Sequence, residues 1–296
     1  MNTSVVSLTK GALVISIDLE LAWGVWDHLT PRDLGLASTL ERGIVSELLA
    51  LFDQYHTPTT WAVVGRLLVT PNEGEARPGP SGAWFAPEIV AAIREASVPH
   101  EVGSHGYAHL YFAQQPKAQL RADLMQARDL HRSQGLDFSS FVFPRNQVGH
   151  LDLLADAGLK VFRSQDAGLL ASAQRIGRRA RQLANIAEKM LPLPPPVVFP
   201  RRHPRGLVEL PSSLLLLGRN GLRRLVSSRI MLAKCKAGLR AAARQKGLFH
   251  LWFHPSNFYY ERVKQMAVLR GVLQEARRMS ERGELDIRTM GSFANV

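Results

Sequence analysis

One cysteine, Cys235, stands in 296 residues, so no disulfide can form within the chain. That excludes a disulfide-stapled secreted scaffold. Long hydrophobic runs are missing as well. The longest, such as Leu214 to Leu217, fall far short of the ~20 apolar residues that cross a bilayer. The first twenty residues lack the basic start, apolar core and small-residue cleavage site of a secretory signal. The expectation is a soluble, cytoplasmic protein. Acidic residues are scarce in one region only. From Ala171 to Gly247 there are 17 Lys+Arg against 2 Asp+Glu, a surplus of 15, while the chain as a whole carries +12. The remainder is thus slightly acidic, and the basic character belongs to one segment. Such a surface attracts phosphates or anionic lipid headgroups, or is simply a solvated helical face.

What is present is ample core material, with 46% hydrophobic residues. The length suits one large α/β barrel or two small domains. β-branched or apolar runs predict strands at Ala12–Ile17, Thr57–Val64, Glu101–Ser104, Ser140–Phe143, Leu159–Arg163, Leu207–Leu210, Leu248–Phe253 and Leu285–Ile287. Helical periodicity predicts helices at Leu40–Leu51, Pro87–Ala96, Pro116–His131, His150–Ala157 and Arg262–Arg282, with a further one at Ala173–Met190. Leu222 to Ala243 reads as one amphipathic basic helix, with Leu222, Leu225, Val226, Ile230, Ala233 and Ala237 on its apolar stripe and Arg223, Arg224, Lys234 and Arg240 off it. Strands alternating with helices, without tandem antiparallel hairpins, predict an α/β fold with a parallel sheet.

In such folds functional side chains collect at the carboxyl ends of strands. Four predicted strand ends carry them here. Asp18 and Glu20, two apart, share a side of a strand. His105 and His109 share a face if they lie on a helical turn. Two imidazoles plus a carboxylate form a donor set for a divalent ion. Arg145 and His254 complete the group. Each has a plainer reading: carboxylates that cap a loop, and a buried, hydrogen-bonded histidine. His250, alternating with His254, is expected to be structural. Trp23, Trp26, Tyr107, Tyr111 and Phe258 could stack on a sugar or simply pack.

The order of these pieces resembles the polysaccharide deacetylase family, the NodB homology domain of carbohydrate esterase family 4. The resemblance rests on Ser16-Ile17-Asp18-Leu19-Glu20, on Ser104-His105-Gly106-Tyr107-Ala108-His109 and on Leu251-Trp252-Phe253-His254-Pro255. The sequence departs from the family pattern in two places. The usual adjacent acidic pair is Asp-x-Glu, and the third motif is Phe143-Pro144-Arg145-Asn146. The fourth motif is not recognisable, with Asp166 its poor candidate.

The resemblance implies a distorted (β/α)7 barrel, here a single domain over 1–296 with a basic, Pro-rich insertion at 171–247. It implies a metal-dependent hydrolase that removes an N-acetyl group from an amino sugar of a surface glycan or its precursor. Glu20, His105 and His109 would hold a divalent ion, zinc before cobalt, nickel or manganese. Asp18 would be the base, although the ligand and base roles of Asp18 and Glu20 could be exchanged. His254 would be the acid, Arg145 would orient Asp18, and an N–H near Asn146 would meet the oxyanion. Trp23, Tyr107 and Asn146 are the substrate-binding candidates. The expected partner is an amino-sugar glycan or a lipid-linked sugar, with an anionic inner-membrane surface met through 171–247. Two alternatives stay open: a cyclic amide or ureide hydrolase of the same fold, and a non-enzymatic basic protein binding membrane or nucleic acid. Nucleic acid is disfavoured because no aromatics interleave the basic stretch.

Overall fold

The computed structural model describes residues 3–71, 77–165 and 194–296. The expected helix at Ala173–Met190 and Asp166 lie outside them. Among the described residues eleven strands form one sheet: β1 (Ser4–Val5), β2 (Gly11–Leu19), β3 (Thr60–Val63), β4 (Glu101–Ser104), β5 (Ser140–Val142), β6 (Val161–Ser164), β7 (Arg201–Arg202), β8 (Val208–Pro211), β9 (Leu214–Leu215), β10 (Leu248–Phe253) and β11 (Leu285–Arg288). Every residue of β2 is buried, as expected of a central parallel strand covered on both faces. β2 pairs in parallel with β3, β10 and β11. From β3 the parallel order runs through β4, β5 and β6 to β8.

One stretch of chain closes the ring. β8 pairs with β6, and after Ser212-Ser213 the chain continues as β9, which pairs with β10. Ser213 bridges that gap, its N–H donating to His250 O at 2.9 Å. The seven staves are therefore β2, β3, β4, β5, β6, the β8–β9 stretch and β10, the α/β fold of a distorted (β/α)7 barrel. The antiparallel pairs β1·β7 and β7·β8 hang on one edge, and sequence patterning misses β7 because two arginines carry no apolar signal.

The segment expected as an insertion is corrected in its described part. Residues 194–247 supply β7, β8, β9 and the helix Ser228–Gln245, which packs on β2 and β10. The single basic helix expected over Leu222–Ala243 is also corrected. It is a 3-10 turn, Gly221–Leu225, then a helix whose first turn Ser227 caps by accepting from Arg229 N–H. The face that meets the barrel carries Met231, Cys235, Leu239 and Ala242, and Lys234 is buried with it at 3% exposure. The stripe read from the sequence is met in part: Val226 is buried and Arg223, Arg224 and Arg240 are exposed, but Ala233 and Leu225 are exposed too.

The first long helix, Pro31–Gln54, starts nine residues before the periodic part of its sequence. Thr30 and Asp33 form a capping box and Pro31 sits at its first position. Inside the barrel, Ala12 and Val14 of β2 and Leu248 of β10 pack with Met290 and Phe293 near the C-terminus. That apolar plug fills the amino-terminal end of the lumen and leaves the carboxyl ends of the strands for polar groups.

Candidate active site

Side chains two apart on β2 point the same way, so Ser16 and Asp18 follow Ala12 and Val14 up the lumen. His250, Trp252 and His254 do the same from β10, which is in register with β2. Above the plug lies a polar column. Arg163 of β6, fully buried, donates to both oxygens of Asp18 at 2.6 Å each. It also donates to Ser16 Oγ at 3.0 Å and to Asn146 Oδ1 at 2.9 Å, and its guanidinium lies 4.3 Å over the Trp252 ring. Ser16 in turn meets His250 Nε2 at 2.9 Å. Burial pushes His250 down to about 3, so it stays neutral and structural, as expected. Burial alone would raise Asp18, yet the charge and hydrogen bonds of Arg163, with help from His254, hold it below the ordinary carboxylate value.

One turn further up, Glu20 follows the end of β2. Its Oε2 lies 3.3 Å from His105 Nε2 and 3.0 Å from His109 Nε2. His254 Nε2 lies 3.3 Å from the other oxygen and 3.6 Å from Asp18 Oδ2. Against burial, these three histidines keep Glu20 well below its usual range. His109 is lowered by burial despite Glu20 beside it, which favours the neutral, electron-donating imidazole.

The two histidines reach this place through a loop, which corrects the helical-turn reading. β4 ends at Ser104, and Gly106 and His109 both have positive φ, 78° and 56°. Asp123, buried on the helix Lys117–Ser133, receives the N–H groups of Tyr107 and Ala108 at 2.8 Å each. A Cβ on Gly106 would come within 2.8 Å of Asp123 Oδ2, so the loop needs glycine there. His105 Nδ1 donates to Val142 O at 2.7 Å, which fixes the ring with Nε2 turned to Glu20.

Three ligand atoms, from Glu20, His105 and His109, lie within 4.8 Å of one another. The Nε2 atoms of His105 and His109 both turn to one oxygen of Glu20, a convergence of donor atoms that a coordinated cation satisfies. Carboxylate plus two imidazoles is also the donor set of catalytic zinc sites that keep an open position. The residues present fit a divalent metal.

Other expected roles are corrected. Arg145 does not reach Asp18. It sits at positive φ, pairs with Asp27 at 2.6 Å and lies 4.7 Å from the Tyr111 ring centre. The arginine that grips Asp18 is Arg163, which sequence reading missed. Its signal was a charge two residues after Val161 in a buried strand, hence on the lumen side. Asn146 is a partner of Arg163, and the backbone N–H groups at 146, 147 and 148 are all internally bonded, so none is free for an oxyanion. Trp23 is 4% exposed, its indole N–H donating to Trp84 O, with Arg77 4.6 Å over its ring, so packing occupies both the ring and its polar handle. Tyr107 is half-buried and its hydroxyl accepts from Arg66 at 3.3 Å. Trp26, in contrast, is 43% exposed and stacks on Tyr111 with centroids 5.8 Å apart.

Residues 33–159 match the family model for polysaccharide deacetylases. Over that stretch the chain is similar to the polysaccharide deacetylase family. The matched region contains His105 and His109, while Asp18, Glu20, Arg163 and His254 lie outside it and are brought to it by the barrel. Solved structures share the fold. A candidate polysaccharide deacetylase of Pseudomonas aeruginosa is 14% identical with a TM-score of 0.67, covering 96% of this chain and 89% of its own. One of Mycobacterium smegmatis is 17% identical with a TM-score of 0.64, covering 98% and 92%. The Puue allantoinase is 13% identical with a TM-score of 0.66, covering 96% and 88%. Among curated proteins none matches.

Proposed function

We propose that this chain is a metal-dependent hydrolase that removes the N-acetyl group from an amino sugar of a surface glycan or its precursor. The observation that carries this reading is the convergence of Glu20, His105 and His109 beside an ionised, arginine-held Asp18 and a partly exposed His254. Glu20, His105 and His109 would hold the ion, zinc being the best match to the donors. When bound, it supplies Lewis-acid polarisation and acidifies water at neutral pH. Asp18 keeps a lone pair on each oxygen beyond those taken by Arg163, and takes the proton of the attacking water. Arg163, itself donating to Ser16 and Asn146, fixes the carboxylate's plane and keeps it ionised in a buried place. His254, at the mouth with 23% of its side chain exposed, carries a proton to the departing amine. Trp26 on Tyr111 offers an exposed aromatic face beside the mouth, the kind of surface on which a sugar ring stacks.

The test is an acetate-release screen over N-acetylated amino sugars and their oligomers, with allantoin as the ureide arm. Acetate release from at least one amino sugar, abolished in Asp18→Asn, is expected. Turnover of allantoin with none of any amino sugar would move the reading to a cyclic-amide hydrolase.

A further inference from the structure

Among the described residues, the two most exposed large hydrophobic side chains are Val263 at 83% and Leu225 at 64%. They stand on neighbouring segments. Arg219 is buried, donates to Val226 O and to Arg224 O, and pairs with Glu261. It thereby ties the turn Gly221–Leu225 to the start of the helix Arg262–Glu281. Apolar grooves run on both sides of that helix start. One of about 550 Å³ is lined by Leu232, Ala267 and Val268 together with Arg229 and Lys264. The other, about 350 Å³, is lined by Val263, Met266 and Ala267 together with Glu47, Arg262 and Arg270.

Cations outnumber carboxylates around this apolar surface, and the carboxylates beside the helix start are already paired. Glu261 is committed to Arg219 and Lys264, and Glu47 to Arg262. Arg223, Arg224 and Arg229 have no carboxylate within ion-pair distance among the described residues. The surface also leads into the site. Arg223 and Asn220 line a polar cavity of about 250 Å³ that reaches Glu20 past Asn257 and Tyr260.

We infer that the turn Gly221–Leu225 and the start of the helix Arg262–Glu281 dock on an anionic lipid bilayer. Leu225 and Val263 enter the boundary between headgroups and acyl chains, and Arg223, Arg224 and Arg229 meet the phosphates. An apolar tip ringed by cations is complementary to that boundary and to few soluble partners. Docking there sets the barrel mouth beside the membrane surface, which suits a substrate held by a lipid carrier. The inference stands apart from the hydrolase reading, because it concerns surface residues outside the metal cluster.

The test is sedimentation of the whole chain with vesicles of phosphatidylcholine, alone or mixed with phosphatidylglycerol, at low and high salt. Wild type should bind the mixed vesicles, salt-sensitively, and not the neutral ones. The triple change Arg223→Gln, Arg224→Gln, Arg229→Gln should weaken binding by about a hundredfold, and Leu225→Ser with Val263→Ser should also weaken it. Lys236→Gln with Arg240→Gln, cations already paired to Glu275, should not. All these positions except Lys236 are exposed, so unchanged melting curves will exclude misfolding. Equal binding to both vesicle types, no binding by wild type, or a control pair as weak as the arginine triple would overturn the proposal. So would arginine-dependent binding to duplex DNA with indifference to the serine changes.

Discussion

Arg163 holds Asp18 by two parallel hydrogen bonds of 2.6 Å across the lumen of the barrel, with both side chains almost wholly buried. The pair joins the β6 stave to the β2 stave. It is the reason a carboxylate at this depth can be ionised. Removing one partner of a buried pair strands the other charge, and typically costs about 3–5 kcal/mol. Arg163→Met should lower unfolding stability by that order in denaturant titration. In any enzyme that survives, the acid limb of the pH–rate profile should move to higher pH, because Asp18 loses the charge that holds it down. An unchanged acid limb would remove Arg163 from its positioning role.

The two carboxylates at the end of β2 should separate in a single comparison. Asp18→Asn should keep bound metal and lose roughly 10²–10⁴-fold in rate. Glu20→Ala should lose the metal itself. Elemental analysis beside acetate release reads both, and the opposite pattern would exchange their roles.

The loop that presents the histidines has its own test. Gly106→Ala places a Cβ against Asp123 at a positive φ, a strain of about 1–3 kcal/mol. Asp123→Ala strips the partner from two backbone N–H groups. Both changes should weaken metal affinity without touching a ligand, measurable by competition with a chromogenic chelator. Wild-type affinity in both would mean that the loop is held by other contacts.

Glu41 predicts a pH dependence of stability. It is buried in the helix Pro31–Gln54 against the Tyr259 hydroxyl, and burial raises it to about 8. The folded state therefore keeps a proton that the unfolded chain gives up near the ordinary glutamate value. The contribution is complete at low pH and is lost as pH rises from about 4.5 through about 8, with a slope of up to about 1.4 kcal/mol per pH unit. Glu41→Gln should flatten that decline in thermal melts. An equal slope in the variant would assign the titration elsewhere.

Much of the barrel was legible because parallel strands are buried on both faces and read as apolar runs. β4 and β10 were placed to the residue, and Asp18, Glu20, His105, His109 and His254 were read from strand ends. What was not legible depended on distance in space. Arg163 looked like an ordinary strand terminus until β6 faced β2. Arg145 was two residues from the right barrel end, yet its positive φ turns it outward to Asp27. Trp23 read as a sugar platform because sequence cannot show that Trp84 and Arg77 cover it. The basic helix was mis-aimed in part for the same reason. Periodicity gave a stripe of which Val226 does go inward, but the helix starts only at Ser228, and Lys234, read as off the stripe, is buried. The residues that then protrude, Leu225 and Val263, come from two segments far apart in sequence.

The central claim is that Glu20, His105 and His109 together hold one catalytic divalent ion. The most direct measurement is the metal content of chelator-stripped protein after zinc is restored and excess removed, for wild type and His109→Ala, with melting curves to confirm folding. One equivalent in wild type and almost none in the folded variant is the result this account requires. A wild-type protein that takes up no metal, or a variant that keeps a full equivalent, would contradict it.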